Sequence, residues 1–391
     1  MDCYTPGRLI VGPYPDGPDL AVVAREFGGQ IDHSIADRLK ATFEGPLPES
    51  LVSQLHEMPS LLMVPEGEEA EIMKRMIGSQ IVRSAFPDFT IRPAADVVPD
   101  QAAIEAAIQS CFAEPVKPTC GSGCKVAIID SGIDASLLIP QTSVLGQYDA
   151  RQPSHARSPL RDTQAHGSLV AHIINAISPG AELVSIKAIS GSGSVMDLLT
   201  ALAIAAGEEC DLINLSLSVQ CGSVKCRACG TYHSAVGEDQ LALQITNFMS
   251  ANPGSLLIAA AGNGTGKRQI ALPARVNGVV AVGSFDHVNG CPDADATYEN
   301  VPQDRFILAP GGSPSLADRQ AYGTNTPMRG TSFAAAFVTG VAARHICGAK
   351  GGPCARRPGA VGGTVKALQR AAGTFAGFDQ ALHGLGVLRY V

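Results

Sequence analysis

The sequence predicts an α/β protein, a parallel β-sheet with helices on both faces, preceded by a small α+β unit. Three observations predict it. From residue 125 onward, short apolar runs alternate with helical stretches, the pattern of a parallel sheet covered on both sides. The first 95 residues read instead as strands and short helices in the order βαββαβ. Finally, 45% of the 391 residues are apolar and only 17% are charged, so the chain can bury a sizeable core and is not disordered. The length suits one large domain plus a lesser one. We divide it into 1–95, a connector over 96–119, and 120–391.

In the first unit, Arg8-Leu9-Ile10-Val11 reads as a strand and 19–27 as a helix closed by Gly28-Gly29. Residues 30–44 carry two further strands, the better one at 38–43. Pro48-Glu49-Ser50 opens a helix through His56, and 60–64 supplies the closing strand. This is the split βαβ, or ferredoxin-like, order. A second helix-then-strand pair at 68–77 and 80–86 leaves the register of the unit ambiguous. In the connector, Pro99, Pro115, Pro118 and Gly121 flank one short Ala-rich helix at 101–112.

The larger unit opens with Lys125-Val126-Ala127-Ile128-Ile129, a buried strand ending at Asp130. A helix follows His166, then come a strand at 182–187, a helix at 194–208 and a strand at 212–216. A helix at 238–250, strands at 256–260 and 279–282, and an apolar helix from Ser332 complete the pattern.

Charge and composition exclude several classes of function. The chain has 36 acidic against 29 basic residues, a formal net charge of −7, with no Lys/Arg block. That argues against nucleic acid and polybasic membrane binding. The apolar stretch Leu9-Ile10-Val11 is broken by Gly12-Pro13 and is too short for a secretory signal. The longest apolar run, 333–343, is too short to span a bilayer. With eleven cysteines read as reduced thiols, the expectation is a cytoplasmic protein without membrane association.

Four segments carry chemistry. Asp130-Ser131-Gly132 follows an apolar strand, where functional side chains collect in a parallel sheet; a half-buried carboxylate there suits orienting a histidine. His166-Gly167-Ser168 starts a helix, a place for a general base, with a glycine permitting close approach. His172 reads as a packing or surface residue. In Gly330-Thr331-Ser332 an exposed serine hydroxyl sits at the positive end of an Ala-rich helix. Ala259-Ala260-Ala261-Gly262-Asn263 runs a strand into an amide that can face a developing oxyanion. Taken singly, each has a bland reading as a turn, a cap or a surface residue.

Taken together, in the order Asp, His, Asn, Ser, the segments resemble the subtilisin-like serine proteases, the subtilases or peptidase family S8, over 120–391. The resemblance implies a subtilisin-like fold and a serine endopeptidase. In it Asp130 orients His166, His166 takes the proton of Ser332, and Ser332 attacks the scissile carbonyl. Asn263 and the Ser332 N–H form the oxyanion hole. It also implies an extended peptide substrate held between Ser216-Leu217-Ser218 and Gly191-Ser192-Gly193, with Ala260, Ala261 and Gly262 lining the cleft. Gly384-Leu385-Gly386 matches the family's closing segment. The chain departs from the family pattern at Ser168, Leu169 and His172, at Phe333, Ala336 and Phe337, and at Ser218, where glycine is usual and a side chain narrows or polarises the first specificity pocket. Many subtilases carry a βαββαβ propeptide, and residues 8–67 are similar in element order. The N-terminal domain is thus expected to act as an intramolecular inhibitor, with cleavage in the connector.

No cofactor is required for this chemistry. Cys221, Cys226 and Cys229, with His233, Cys210 or Cys291 completing the set, are weak candidates for structural zinc, because one C-x-x-C is a poor signal beside disulfide, redox or unpaired thiols. Cys120 and Cys124 read as part of a flexible connector. Subtilases often bind calcium, but no acidic loop here supports an assignment. Two opposing readings remain: a non-catalytic peptide-binding pseudoprotease, and a dedicated maturation peptidase for one intracellular precursor peptide.

Overall fold

The structure, a computed structural model, describes residues 4–43, 45–93, 116–134, 143–152, 162, 164–219, 236–286, 291–292, 296–299, 301–311, 330–346 and 360–388. The predicted helix at 101–112 and the cysteine cluster Cys221, Cys226, Cys229 with His233 lie outside these residues.

The N-terminal elements are β1 (Tyr4–Gly12), α1 (Leu20–Glu26), β2 (Gln30–Ser34), α2 (Ile35–Thr42), α3 (Glu49–Val52), β3 (Ser60–Met63), α4 (Glu69–Gly78) and β4 (Ser84–Pro93). Their sheet runs β4-β1-β3-β2 with every neighbour antiparallel. The split βαβ is therefore built from β1, α1, β2, β3, α4 and β4. Its closing strand is Ser84–Pro93, not 60–64. The strand expected at 38–43 is helix α2 instead. Ser34 and Asp37 form a reciprocal capping box that starts it, and Ile35, Arg38, Leu39 and Thr42 bury one helical face. The helix expected through His56 shortens to α3 and a 3₁₀ turn at Leu55–Glu57.

The second unit follows as β5 (Lys125–Asp130), β6 (Ser143–Asp149), α5 (His166–Ile177), β7 (Glu182–Lys187), β8 (Gly193–Ser194), α6 (Val195–Gly207), β9 (Leu212–Leu215) and β10 (Leu217–Val219). Next come α7 (Val236–Ala251), β11 (Leu256–Ala260), β12 (Gly264–Arg268), β13 (Val280–Asp286), β14 (Cys291–Pro292), β15 (Ala296–Tyr298) and β16 (Phe306–Pro310). The end of the chain adds α8 (Thr331–Ile346), α9 (Ala360–Ala371), β17 (Ala372–Gly373), α10 (Gln380–His383) and β18 (Val387–Leu388). Strands β16-β13-β11-β9-β5-β7-β6 form a continuous parallel array. Strands β11, β13 and β16, inside the array, are wholly or almost wholly buried because both faces are covered, whereas the edge strand β6 is half exposed. One face packs α5 and α8, with Val170, Ile174, Ala335 and Val338 buried against Ile128 and Ile258. The other packs α6 and α7, with Leu202 and Ile245 against Ile129 and Leu257. The chain winds from β5 toward β6 on one side and from β9 toward β16 on the other. The crevice at the carboxyl ends of β5 and β9 is thus the switch point where such sheets place their ligands.

The two units are joined through β4. Its earlier residues pair with β1, from Ser84 to Phe89. Its last residues lie between two strands of the other unit: Thr90 and Ile91 opposite Ser194 and Gly193 of β8, and Ile91, Arg92 and Pro93 opposite Val219, Ser218 and Leu217 of β10. Phe86, Phe89 and Ile91 share one apolar cluster with Leu202, Leu217 and Val219. The units that the sequence separates at about residue 95 therefore share a core, and each of those three buried side chains contributes roughly 1.5–3 kcal/mol. Among the described residues, no helix is long and apolar enough to cross a membrane.

Candidate active site

Asp130 is the last residue of β5, and it is wholly buried rather than half-buried. One of its oxygens, Oδ1, accepts the Ser131 N–H at 2.7 Å and lies 2.7 Å from His166 Nδ1. A short contact of this kind between a carboxylate and an imidazole fixes the ring's orientation and favours its Nδ1–H tautomer. His166 is the first residue of α5, entered through Ala165 in the left-handed conformation (φ 57°). The close approach depends on Gly167. A Cβ there would stand 2.2 Å from Gly132 O and 3.1 Å from Asp130 Cβ, forcing the two loops apart.

Ser332 is the second residue of α8. It is 0% exposed, which corrects the expectation of an exposed hydroxyl. The burial follows from a reciprocal contact with the loop after β9. Ser332 Oγ donates to Ser216 O at 2.9 Å, and Ser216 Oγ donates to Ser332 O at 2.8 Å. Asn214 Nδ2 donates to Ser216 Oγ at 2.8 Å, and Asn214 Oδ1 is held by Thr339 Oγ1 at 2.9 Å. The His166 ring packs against the Phe333 ring, with centroids 5.7 Å apart, which brings the histidine to the residue next to the serine.

Asn263 follows β11 and is exposed. Its Oδ1 accepts the Thr331 N–H at 3.0 Å, and in return the Gly262 N–H donates to Thr331 Oγ1 at 3.2 Å. Tying the amide oxygen to the start of α8 sets which end of the side chain is the donor. Tyr298 clamps the same turn from β15, its hydroxyl donating to Gly262 O. Gly262 itself has φ +93°, a conformation side chains disfavour.

The segments expected to hold substrate are placed as follows. Gly193 pairs with Ile91 as part of β8; a Cβ there would meet Ala188 O at 2.1 Å. Ser192 makes an isolated bridge to Ser190. Gly191 sits at the rim, its N–H donating to Gln164 Oε1 at 2.8 Å. Ser216 is bonded to Ser332, whereas Leu217 and Ser218 form β10 with Pro93 and Arg92 opposite. Ala260 and Ala261 bury their side chains in opposite layers of the core, and Ala261 spends its N–H on Val282 O and its C=O on the Ala271 N–H. Of the three residues expected there, Gly262 is the one at the cleft, and the Ser218 Cβ stands 4.0 Å from the position its Cβ would take. His172 is buried on α5. Among the described residues no group of three or more His, Cys, Asp or Glu is placed to hold a metal ion.

Sequence reasoning missed Asp162, Gln164, Tyr298 and Thr331. The nearest signal for the first two was the polar loop before His166. Nothing local marks Tyr298.

Comparison with known proteins matches residues 121–352, more than half of the chain, to the model of the Subtilase family. The thermophilic serine proteinase of Bacillus sp. (strain AK1) is 30% identical over 237 residues, covering 57% of this chain and 52% of that protein. Subtilisin E of Bacillus subtilis (strain 168) is also 30% identical over 237 residues, covering 57% of this chain and 55% of its own. The chain thus matches about half the length of these curated relatives. Among solved structures, fervidolysin from Fervidobacterium pennivorans, a keratinolytic enzyme related to subtilisin, superposes with a TM-score of 0.66 at 17% identity. That match covers 99% of this chain and 60% of the other. A lanthipeptide protease superposes with a TM-score of 0.56 at 19% identity, covering 75% of this chain and 97% of that one. Both share the fold. With an Asp130–His166 pair at the sheet's switch point, Ser332 at the head of the helix beside it and the family model spanning both, the chain belongs to the subtilase family.

Proposed function

We propose that this chain is a serine endopeptidase whose cleft is closed by its own N-terminal unit. The observation that carries the chemistry is the buried Asp130–His166 contact at 2.7 Å beside a helix-start serine. Ser332 Oγ leaves its bond to Ser216 O, gives its proton to His166 Nε2, and forms an ester bond with the scissile carbonyl carbon. The negative charge passes to the carbonyl oxygen, which the Asn263 amide and the Ser332 N–H receive. The bond to the leaving nitrogen then breaks, and His166 supplies that nitrogen's proton. A water molecule repeats the sequence on the acyl ester, its proton passing through His166 back to Ser332.

The observation that carries latency is β4. An extended segment hydrogen-bonded to both rims occupies the place a peptide substrate takes by strand addition. The ladder ends at Pro93, opposite Leu217, one residue short of Ser216. The first cut is therefore expected just beyond Pro93, at the start of the 94–115 stretch. A mass spectrum of the wild-type chain beside Ser332→Ala tests both points. Wild type should yield two fragments parted just after Pro93 and a fluorophosphonate adduct on Ser332, while Ser332→Ala stays whole and unlabelled. A wild-type chain that neither divides nor labels would favour the peptide-binding pseudoprotease instead.

A further inference from the structure

We infer that Asp162 is a positioning residue for the Asp130–His166 pair, the tie that holds the Asp130 loop and the start of α5 in register; this rests on the proteolytic reading above. Asp162 lies four residues before His166 and is 7% exposed. Both of its carboxylate oxygens are engaged. Oδ1 accepts Ser131 Oγ–H at 2.9 Å and the Gln164 N–H at 3.0 Å. Oδ2 accepts the Ser168 N–H at 2.9 Å and Ser168 Oγ–H at 2.7 Å.

Each partner leads to the reacting groups. Ser131 follows Asp130, donates its N–H to Asp130 Oδ1 and accepts the Gly167 N–H on its hydroxyl at 2.9 Å. Ser168 stands two residues beyond His166 and accepts the Asp134 N–H at 2.9 Å. Gln164 reaches across to Gly191 on the cleft rim. One carboxylate thus joins the strand end that bears Asp130, the helix start that bears His166 and the rim that holds peptide. Four donors converging on one buried group give a fixed geometry, because losing the acceptor strands every donor at once.

Among the described residues, the charges near this carboxylate are those around Lys187. Lys187 at the end of β7 is buried, and burial lowers its pKa from the ordinary lysine value. Arg151 acts in the same direction, while Asp149 and Asp162 oppose it. Asp130 and His166 lie on the other side of the Ser131 and Ser168 bridges. Removing the Asp162 charge withdraws a nearby negative group from the imidazolium, so His166 loses its proton more readily.

The test uses the full chain and the rate at which a small fluorophosphonate labels Ser332, followed across pH for wild type, Asp162→Asn and Ser168→Ala. Asp162→Asn keeps the size but not the four acceptor sites. It is expected to label roughly 10- to 100-fold more slowly at alkaline pH, with the acid limb of its profile moved to lower pH. Ser168→Ala keeps the charge, cuts one of the four ties to Asp162 and removes the hydroxyl that accepts the Asp134 N–H. Its labelling should slow several-fold with the acid limb where wild type has it. Thermal unfolding of each variant gives the folded fraction against which the rates are corrected. Corrected labelling of Asp162→Asn within about twofold of wild type, or an unmoved acid limb, overturns the inference and leaves Asp162 a structural residue. Should Asp162→Asn fail to fold, Ser168→Ala decides, and labelling within about twofold of wild type overturns it. A wild-type chain that never labels removes the proteolytic reading itself, and the inference with it.

Discussion

Two fully buried carboxylates, Asp130 and Asp88, show how differently the two ends of this molecule use the same residue. Asp130 ends β5 and meets donors from its own unit, Ser131 and His166, both on one oxygen. Asp88 lies in β4 and faces both units. It pairs with Arg8 of β1 at 2.8 Å and accepts the Met196 N–H, at the start of α6, at 3.0 Å. Burial pushes the Asp88 carboxyl up from the ordinary 3.8 to about 6, with Arg8 and the Met196 N–H opposing the rise. Asp197 adds to the rise and Arg38 opposes it; those two also pair with each other at 2.9 Å. The lesson is one of purpose. A carboxylate inside one unit is held against a neighbour it orients, whereas one at the seam of two units meets donors from both.

The largest effect is expected of Asp130→Asn, which keeps the shape of the side chain and removes its charge. It should slow fluorophosphonate labelling by about ten-thousandfold, as loss of the correct histidine tautomer does in proteases of this chemistry. A fall of less than about tenfold would show that Asp130 does not orient His166. Next in size is Asn263→Ala, expected to cost about 100- to 1,000-fold in kcat with KM little changed, measured on a fluorogenic peptide with the cut chain.

Smaller effects belong to the β4 side. Ile91→Ala empties a buried position between β8 and β10 and should weaken the hold of β4 by roughly 2–5 kcal/mol. Amide exchange of Thr90, Ile91 and Arg92, followed in the Ser332→Ala chain, would speed accordingly; unchanged exchange would mean that Ile91 does not anchor the strand. The smallest effect concerns pH. The Asp88 carboxyl is raised in the docked state, so its protonated form favours docking. That contribution is full below the ordinary carboxylate value and is lost as pH rises through about 6. Exchange of the Thr90, Ile91 and Arg92 amides, corrected for intrinsic chemistry, should quicken from pH about 5 to about 7 in the Ser332→Ala chain. In Asp88→Asn that trend should flatten; an equal trend in both assigns it to another group.

How much of this was legible in the sequence follows from where each signal lay. Most of the parallel sheet could be read because strands such as Val126–Ile129 and Leu256–Ala260 are short apolar runs with Asp130 and Asn263 just beyond them, whereas β6, a polar edge strand, and β16 gave no such signal. The N-terminal unit was harder. Residues 38–43 alternate well enough to pass for a strand, yet Ile35, Arg38, Leu39 and Thr42 lie one helical turn apart and pack toward α6, so tertiary burial decided in favour of helix. The last strand was displaced because nothing local says that 84–93 is one continuous element serving two sheets. Asp162 was invisible for a similar reason. Its partners Ser131, Gln164 and Ser168 are each unremarkable, and they matter because the fold sets them around one carboxylate. The burial of Ser332 depends on Ser216, more than a hundred residues away.

Because β4 runs unbroken from the first unit into the pairing with β8 and β10, the two units meet as one chain. While Pro93 remains joined to the rest of the chain, the strand meets its cleft as part of the same molecule, at an effective concentration set by the tether and indifferent to dilution. In the proposed cut form the first unit is a separate ligand, held through the Asp88–Met196 and Arg38–Asp197 contacts and the apolar residues around Ile91. Its occupancy then follows mass action. A freshly cut protein at high concentration should stay closed, and the same protein diluted below the dissociation constant should open.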